Sequence, residues 1–208
     1  MPRPDDSAKP TRWAGVPAAD RVSARRALLL DAALELLGTE GWSGTSVRAI
    51  CQSARLNPRY FYESFTDLDD LVIALYDQLI DELREQVTDA VEAAGEHDRM
   101  RALVRATVEF IDADHRRGRV LYVEALGNEK LNRRRVETGF IIAGHVDAAG
   151  GSGDPLSMIT ASILVGGFSE LLLAWLNGLI TVTREQLIDT ATALFTAMTD
   201  EAGTLPRC

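Results

Sequence analysis

Cysteine, histidine and strand-type alternation are scarce in this sequence, and each scarcity excludes a class of protein. Two cysteines occur among 208 residues, Cys51 inside an expected helix and Cys208 at the last position. Cysteines so placed build no disulfide framework, which fits a reducing cytoplasm. The three histidines, His97, His115 and His145, have no metal-ligand spacing with carboxylates, so neither a zinc site nor any other cofactor is expected. Val-Ile-Thr alternation of period two is absent, which leaves nothing to build a sheet. No Ser-His-Asp set, framed carboxylate pair or phosphate-cradling glycine loop is present, so the chain is not read as an enzyme. No basic stretch followed by an apolar run opens the chain, and no signal peptide is read. The one long apolar run, Met158 to Ile180, carries Glu170 in its middle and Asn177 near its end. Without a flanking cationic cluster it reads as a core or interface helix rather than a membrane span.

The composition is that of an ordinary globular protein, 46% hydrophobic and 25% charged. Net charge is −9, which by itself speaks against a polyanionic partner. The charge is unevenly spread. Residues 1–66 hold nine Lys/Arg against seven Asp/Glu, a balance of +2, whereas residues 67–208 hold thirteen against twenty-four, a balance of −11. Only the first third is suited to phosphates.

Helical periodicity runs through nearly the whole chain. Residues 1–20, with Pro2, Pro4, Pro10 and Pro17, read as a disordered arm. A helix over about 21–39 presents Leu29, Ala32, Ala33, Leu36 and Leu37 on one face, with Gly41 as its stop signal. Thr45 or Ser46 caps a second helix through Ala54, whose buried face is Val47, Ile50, Cys51 and Ala54. Arg55-Leu56-Asn57 forms a turn, Asn57 caps a third helix, and Pro58 takes its first position, where the missing N–H costs nothing. Thr66 or Asp67 caps a fourth helix to about Ala94, with three aspartates favouring its N-terminus. Further helices are expected at about 98–115, 118–126, 128–149, 155–179 and 183–201, with Gly150-Gly151-Ser152-Gly153 as the clearest loop. The expected architecture is all-α with about nine helices. It divides into the arm at 1–20, a helix-turn-helix unit at 21–66, and a larger helical domain at 67–208.

Two short helices joined by a tight turn place a recognition helix in the DNA major groove. Such a helix offers donors outward while its other face packs. Phe61 and Phe65 fall one turn apart and pack inward with Leu56, leaving Pro58, Arg59, Tyr60, Tyr62 and Glu63 outward. Arg59 can fork onto guanine O6 and N7, Tyr60 suits a thymine methyl or a phosphate, and Tyr62 and Asn57 suit phosphate oxygens. Thr45 and Ser46 supply hydroxyls beside free amides, and Arg48 projects from the first turn of the second helix. Arg12, Arg21, Arg25 and Arg26 reach from the arm and first helix. For Tyr60 and Tyr62 a core role stands beside the outward one.

The string Thr45-Ser46-Val47-Arg48-x-Ile50, followed by Tyr60-Phe61-Tyr62-x-x-Phe65 and Leu71, closely resembles the DNA-binding signature of the TetR family of bacterial transcription regulators. The likeness is specific over about 25–71; beyond that it rests on length and helix count. It implies a homodimer of nine-helix chains in which an N-terminal helix-turn-helix reads a palindromic double-stranded operator. A divergent C-terminal domain then binds a small molecule that releases the DNA. Two positions depart from the family. Arg55 occupies a turn position where glycine is usual. Leu68 stands where a phosphate-binding lysine often begins the fourth helix, so that the amide end of this helix would have to serve instead.

In the larger domain, Phe110, Tyr122, Leu126, Phe140, Phe168, Leu172 and Trp175 are the lining expected of an apolar effector cavity, against the alternative that they are simply core. His115 and His145 are either polar anchors there or surface residues. Arg133-Arg134-Arg135 reads as a solvated helix face. Ile163, Gly166, Gly167, Glu170, Leu171 and Ala174 on one helix form an expected dimer face, with Leu187, Ala191, Leu194, Phe195 and Met198 on the next. A four-helix twofold interface would set two recognition helices about 34–36 Å apart. Together with the resemblance, the residues imply a ligand-released, DNA-binding repressor without membrane attachment. A ligand-independent activator or architectural DNA binder is the runner-up, and an enzyme with an apolar bundle cavity ranks behind both.

Overall fold

A computed structural model describes residues 18–150 and 155–202, with side chains placed for 20–145 and 158–202. Residues 1–17 of the expected arm, Arg12 among them, residues 151–153 of the expected glycine loop and Cys208 lie outside the described residues, whereas residues 18–20 and Gly150, expected in the arm and the loop, are helical. Nine α-helices and no strand occur among those described: α1 (Ala18–Gly44), α2 (Val47–Ala54), α3 (Pro58–Tyr62), α4 (Leu68–Ala93), α5 (Arg99–Ala113), α6 (His115–Gly118), α7 (Glu129–Gly150), α8 (Pro155–Leu176) and α9 (Arg184–Ala202).

Local chemistry sets the boundaries of the first four. α1 breaks at Gly41, whose φ of 68° and ψ of −163° only glycine adopts without strain. The Ser46 hydroxyl accepts from the Ala49 amide, the Asn57 side chain from the Arg59 amide, and the Asp67 carboxylate from the Asp70 amide. Each bond satisfies a donor that a helix start leaves without a partner, a contribution of about 1 kcal/mol. Asp70 in turn accepts from the Thr66 amide at 2.9 Å, closing a reciprocal box at the start of α4.

One contiguous core joins these elements. Leu29, Ala33 and Leu37 of α1, Ile50 of α2, and Phe61 and Phe65 around α3 are buried together with Leu71 and Val72 of α4. Farther along α4, Leu75, Leu79 and Leu83 meet Val104, Val108 and Ile111 of α5 in the same core. Phe61 has no exposed surface, and truncating such a ring to alanine costs about 3–5 kcal/mol. Burial also pushes the Cys51 thiol pKa up, leaving it an inert core group.

The stretch expected as a helix at 118–126 is less regular. After α6 the chain forms one π-type turn at Arg119–Val123 and one 3₁₀ turn at Glu124–Gly127. This segment grips the end of α1. The Trp42 indole N–H donates to the Glu124 carbonyl at 2.8 Å. Arg119 donates to the Thr39 carbonyl at 3.0 Å and pairs with Glu124 at 2.5 Å, and Arg116 pairs with Glu35. The helix-turn-helix is thus docked on the larger bundle by named bonds on either side of the Gly41 kink.

Candidate DNA interface and effector cavity

The candidate DNA-facing side is built from α3 outward. With Phe61 and Phe65 buried, the opposite face of this single turn must meet water. Arg59 is 83% exposed at its side chain and Tyr62 is 64% exposed. Asn57, Pro58, Ser46 and Arg48 are exposed beside them. Thr45 is a correction to the expected outward set: it is buried, and its hydroxyl donates to the Gly41 carbonyl at 2.7 Å. That bond consumes its only hydrogen, so Thr45 shapes the α1–α2 corner and offers nothing outward.

Glu63 organises the cations of this face, a role the sequence did not disclose. Its carboxylate accepts from Arg59 Nε at 3.2 Å and pairs with Arg25 at 3.3 Å. Arg25, only 13% exposed, also stacks on the Tyr60 ring at 4.4 Å from its centroid. Arg25 therefore holds Tyr60 in place, with its own charge already engaged. Arg26 stacks on Phe65 at 4.3 Å and donates to the Ser64 carbonyl, so it too braces α3. Arg59 keeps both terminal nitrogens free of Glu63, the fork that a guanine edge requires.

The two departures noted in sequence have different outcomes. Arg55 adopts φ 55° and ψ 42°, the one non-glycine residue with positive φ among those described. It takes the left-handed cap itself, with its amide and that of Leu56 closing the end of α2 onto Gln52 and Cys51. Leu68 instead turns inward and packs against the core. At the amide end of α4, expected to serve in place of the lysine, Asp67 caps the Asp70 amide, and Asp69 and Asp70 add negative charge to the first turn. A phosphate would meet carboxylates there.

Residues 29–75 match the family described as bacterial regulatory proteins, tetR family. The BetI transcriptional regulator of Rhizobium meliloti is 28% identical over 113 residues, which cover 52% of this chain and 56% of that protein. An uncharacterized HTH-type regulator of Haemophilus influenzae is 34% identical over 86 residues, 39% of this chain and 42% of that protein. The chain thus spans about half the length of these two relatives. The segment 29–75 is thus similar to the tetR family's domain. The chain's fold extends the likeness over nearly the full length. A transcriptional regulator from Pseudomonas aeruginosa PAO1 superposes with a TM-score of 0.71 at 20% identity, covering 92% of this chain and 96% of that one. The regulator FadR from Bacillus subtilis, crystallised with stearoyl-CoA, superposes with a TM-score of 0.66 at 18% identity, covering 81% and 96%.

In the larger bundle a cavity of about 320 Å³ opens between α4, α7 and α8. Of the seven expected lining residues only Tyr122 and Phe140 border it. Phe110, Phe168 and Leu172 are buried in the core: Arg117 stacks on Phe110, and Phe195 meets Phe168 edge-on at 5.3 Å. Leu126 is exposed outside the cavity, and the Trp175 N–H donates to the Val182 carbonyl at 3.3 Å, on the α8–α9 connection. His115 and His145 are both surface residues. The walls come instead from Ile80, Leu83, Leu121, Val136, Ile142 and Val165, and Arg135 enters from α7. Burial raises the pKa of both bordering tyrosines, that of Tyr76 to about 12, so each phenol stays neutral.

α8 is apolar on nearly every side. Met158–Leu176 has a mean hydropathy of 1.7, yet only 22% of that stretch is buried. Ile163 is 53% and Leu194 56% exposed, and Gly166, Gly167, Glu170 and Met198 lie open as well. Leu171, Ala174 and Phe195 are half-buried. Leu187 and Ala191 are corrections to the expected outer face: both are buried within the chain's own core. The α9 stripe is split, one edge packing inward and the other, Leu194 and Met198, facing out.

Proposed function

We propose that this chain is a DNA-binding transcription regulator that acts as a homodimer and releases its operator when an apolar or amphipathic small molecule fills the α4–α7–α8 cavity. The observation that carries the reading is the α3 face, where Arg59 and Tyr62 are held outward by buried Phe61 and Phe65 and braced through Glu63 and Arg25. Ser46, Arg48, Asn57, Pro58 and Tyr60 complete the proposed contact surface, in a segment whose charge balance is the favourable one for phosphates. The partner is double-stranded operator DNA with twofold symmetry, because a twofold dimer presents two α3 helices to one face of the duplex. Ile163, Gly166, Gly167, Leu194 and Met198 supply the dimer face, since an apolar helix this exposed needs cover and small residues permit close approach. The domain boundary falls between Thr66 and Asp67, and a soluble location in the bacterial cytoplasm suits such a regulator. The Bacillus subtilis neighbour with its stearoyl-CoA supports an acyl-bearing ligand in this fold class.

The test is a mobility shift on DNA upstream of the chain's own gene, with unrelated DNA as competitor. Specific retardation whose affinity falls steeply with salt is expected. Retardation that unrelated DNA abolishes equally well refutes operator recognition. Light scattering at micromolar protein gives a dimer mass on this reading; a monomer refutes the α8–α9 interface.

A further inference from the structure

The triplet Arg133-Arg134-Arg135 looks uniform in sequence, yet the fold gives its members three different surroundings. Arg133 stands in water, 3.5 Å from Glu129. Arg134 is satisfied by Asp77, its Nε donating at 2.7 Å. Arg135 turns into the cavity, with only 20% of its side chain exposed. Its ion-pair and hydrogen-bond partners among the described residues are distant: Glu170 lies at 3.7 Å, and Asn132 accepts from Nε at 3.4 Å. Both sit at the outer limit of useful geometry. Glu170 is itself 63% exposed, so water can take its carboxylate back.

Around Arg135 the cavity offers neutral donors and hydrocarbon. Tyr76 and Tyr122 border it with phenols that burial keeps protonated, Ser162 adds a hydroxyl, and Ile80, Leu83 and Leu121 supply a continuous apolar wall. Glu170, at the rim, is the one carboxylate among the lining residues. A partly desolvated guanidinium with a loosely held counter-ion favours a ligand that brings a better one. A carboxylate matches its planar fork with two parallel bonds.

We infer that the cavity takes a single-chain amphiphile with a carboxylate head. The head docks on Arg135 and displaces Glu170 toward solvent, while the tail lies along Ile80, Leu83 and Leu121. The volume, at the lower end of the range of about 300–1,000 Å³ for ligand pockets, suits a medium-length chain. This inference rests on the reading of the cavity as the effector site, and it adds the charge of the ligand and the residue that selects it.

Calorimetric titration of the full chain with decanoate and with 1-decanol tests it. Decanoate is expected to bind about tenfold more tightly, the range of a charge-assisted pair. Arg135→Gln brings decanoate down to the level of decanol, and Arg135→Lys restores part of the difference. Glu170→Gln, which removes the competing carboxylate, tightens decanoate several-fold and leaves decanol unchanged. Equal affinity of the native chain for the two compounds overturns the inference while leaving the cavity as an effector site. Binding of neither compound overturns both. Should Arg135→Gln fail to fold, Glu170→Gln decides: unchanged or weakened decanoate binding overturns the role of Arg135.

Discussion

Replacing Arg55 with glycine separates two quantities that usually fall together in a DNA-binding protein, fold stability and affinity. Arg55 holds φ 55° and ψ 42° at the end of α2. For an L-residue this left-handed conformation costs about 1–2 kcal/mol, which glycine does not incur. Glycine also loosens the unfolded chain, returning about 0.4–1 kcal/mol of that gain. The Arg55 side chain is exposed and makes no ion pair or hydrogen bond with the described residues, so its removal forfeits little packing. The net is a stabilisation of up to about 1.6 kcal/mol, which for a chain of this size raises the melting temperature by up to roughly 6 °C. DNA binding moves the other way. A cation at the turn leading into α3 is lost, and the slope of log affinity against log salt falls by at most about 0.9. Thermal unfolding by circular dichroism reads the first effect, and a salt series of mobility shifts reads the second. A lower melting temperature for Arg55→Gly refutes the reasoning, because it means that the arginine contributes more to the fold than its backbone strain costs.

Arg59→Ala is expected to weaken operator binding by about 1–3 kcal/mol and to relax base preference at one position; an equal loss on every sequence in a panel of single-base operator variants assigns Arg59 to a phosphate instead. Gly127→Ala places a methyl group 2.8 Å from Trp42 Cδ1, against an indole already fixed by its bond to Glu124. Overpacking of this kind costs about 1–3 kcal/mol, and a urea midpoint equal to that of the native chain contradicts it. The Arg116 guanidinium holds the Asp114 carboxyl below its ordinary pKa. A carboxylate depressed in this way contributes stability above its unfolded value of about 3.9, and the contribution is lost as pH falls through the folded value. Asp114→Asn therefore melts below the native chain at neutral pH and approaches it below about pH 4; a difference that does not change with pH argues against the ion pair.

The helix-turn-helix was readable because its signals are local. Ser46, Asn57 and Asp67 cap through bonds that span two or three residues, and the buried set Ile50, Cys51, Phe61 and Phe65 follows from periodicity alone. Thr45 misled because a hydroxyl at a helix start has two outlets, and the Gly41 kink brings a carbonyl within its reach. The cavity was hardly readable. Periodicity says that Phe110, Phe168 and Leu172 are buried, but not whether a neighbour or a void lies beyond them. Arg135 differs from Arg133 and Arg134 only by the 100° turn between successive helical residues, which decides between solvent, Asp77 and the cavity. Leu187 and Leu194 sit on one apolar stripe, yet the stripe is wider than its contact and only one edge is covered.

The acidic start of α4 gains a physical reason once α7 is placed beside it. Asp69 accepts from Asn128 at 2.9 Å and pairs with Lys130 at 2.9 Å, and these partners lower its pKa while Asp69 raises that of Lys130. Asn128 also caps α7 through the Leu131 amide at 3.0 Å, and Leu131 is buried behind it. The carboxylate that repels phosphate at the start of α4 is therefore the clamp that fixes the start of α7. Leu68, in place of a lysine, adds core contact to the same joint. α7 carries Arg135 little more than one turn beyond Lys130, and α4 carries Tyr76, Ile80 and Leu83 along the cavity wall. Both walls thus converge on one joint that directly follows α3. On the function proposed above, a ligand that moves α7 relative to α4 would strain or shift that joint, and a shift there would reorient α3. Leu68, where the family pattern often has a lysine, thus adds packing at the link between the cavity wall and α3.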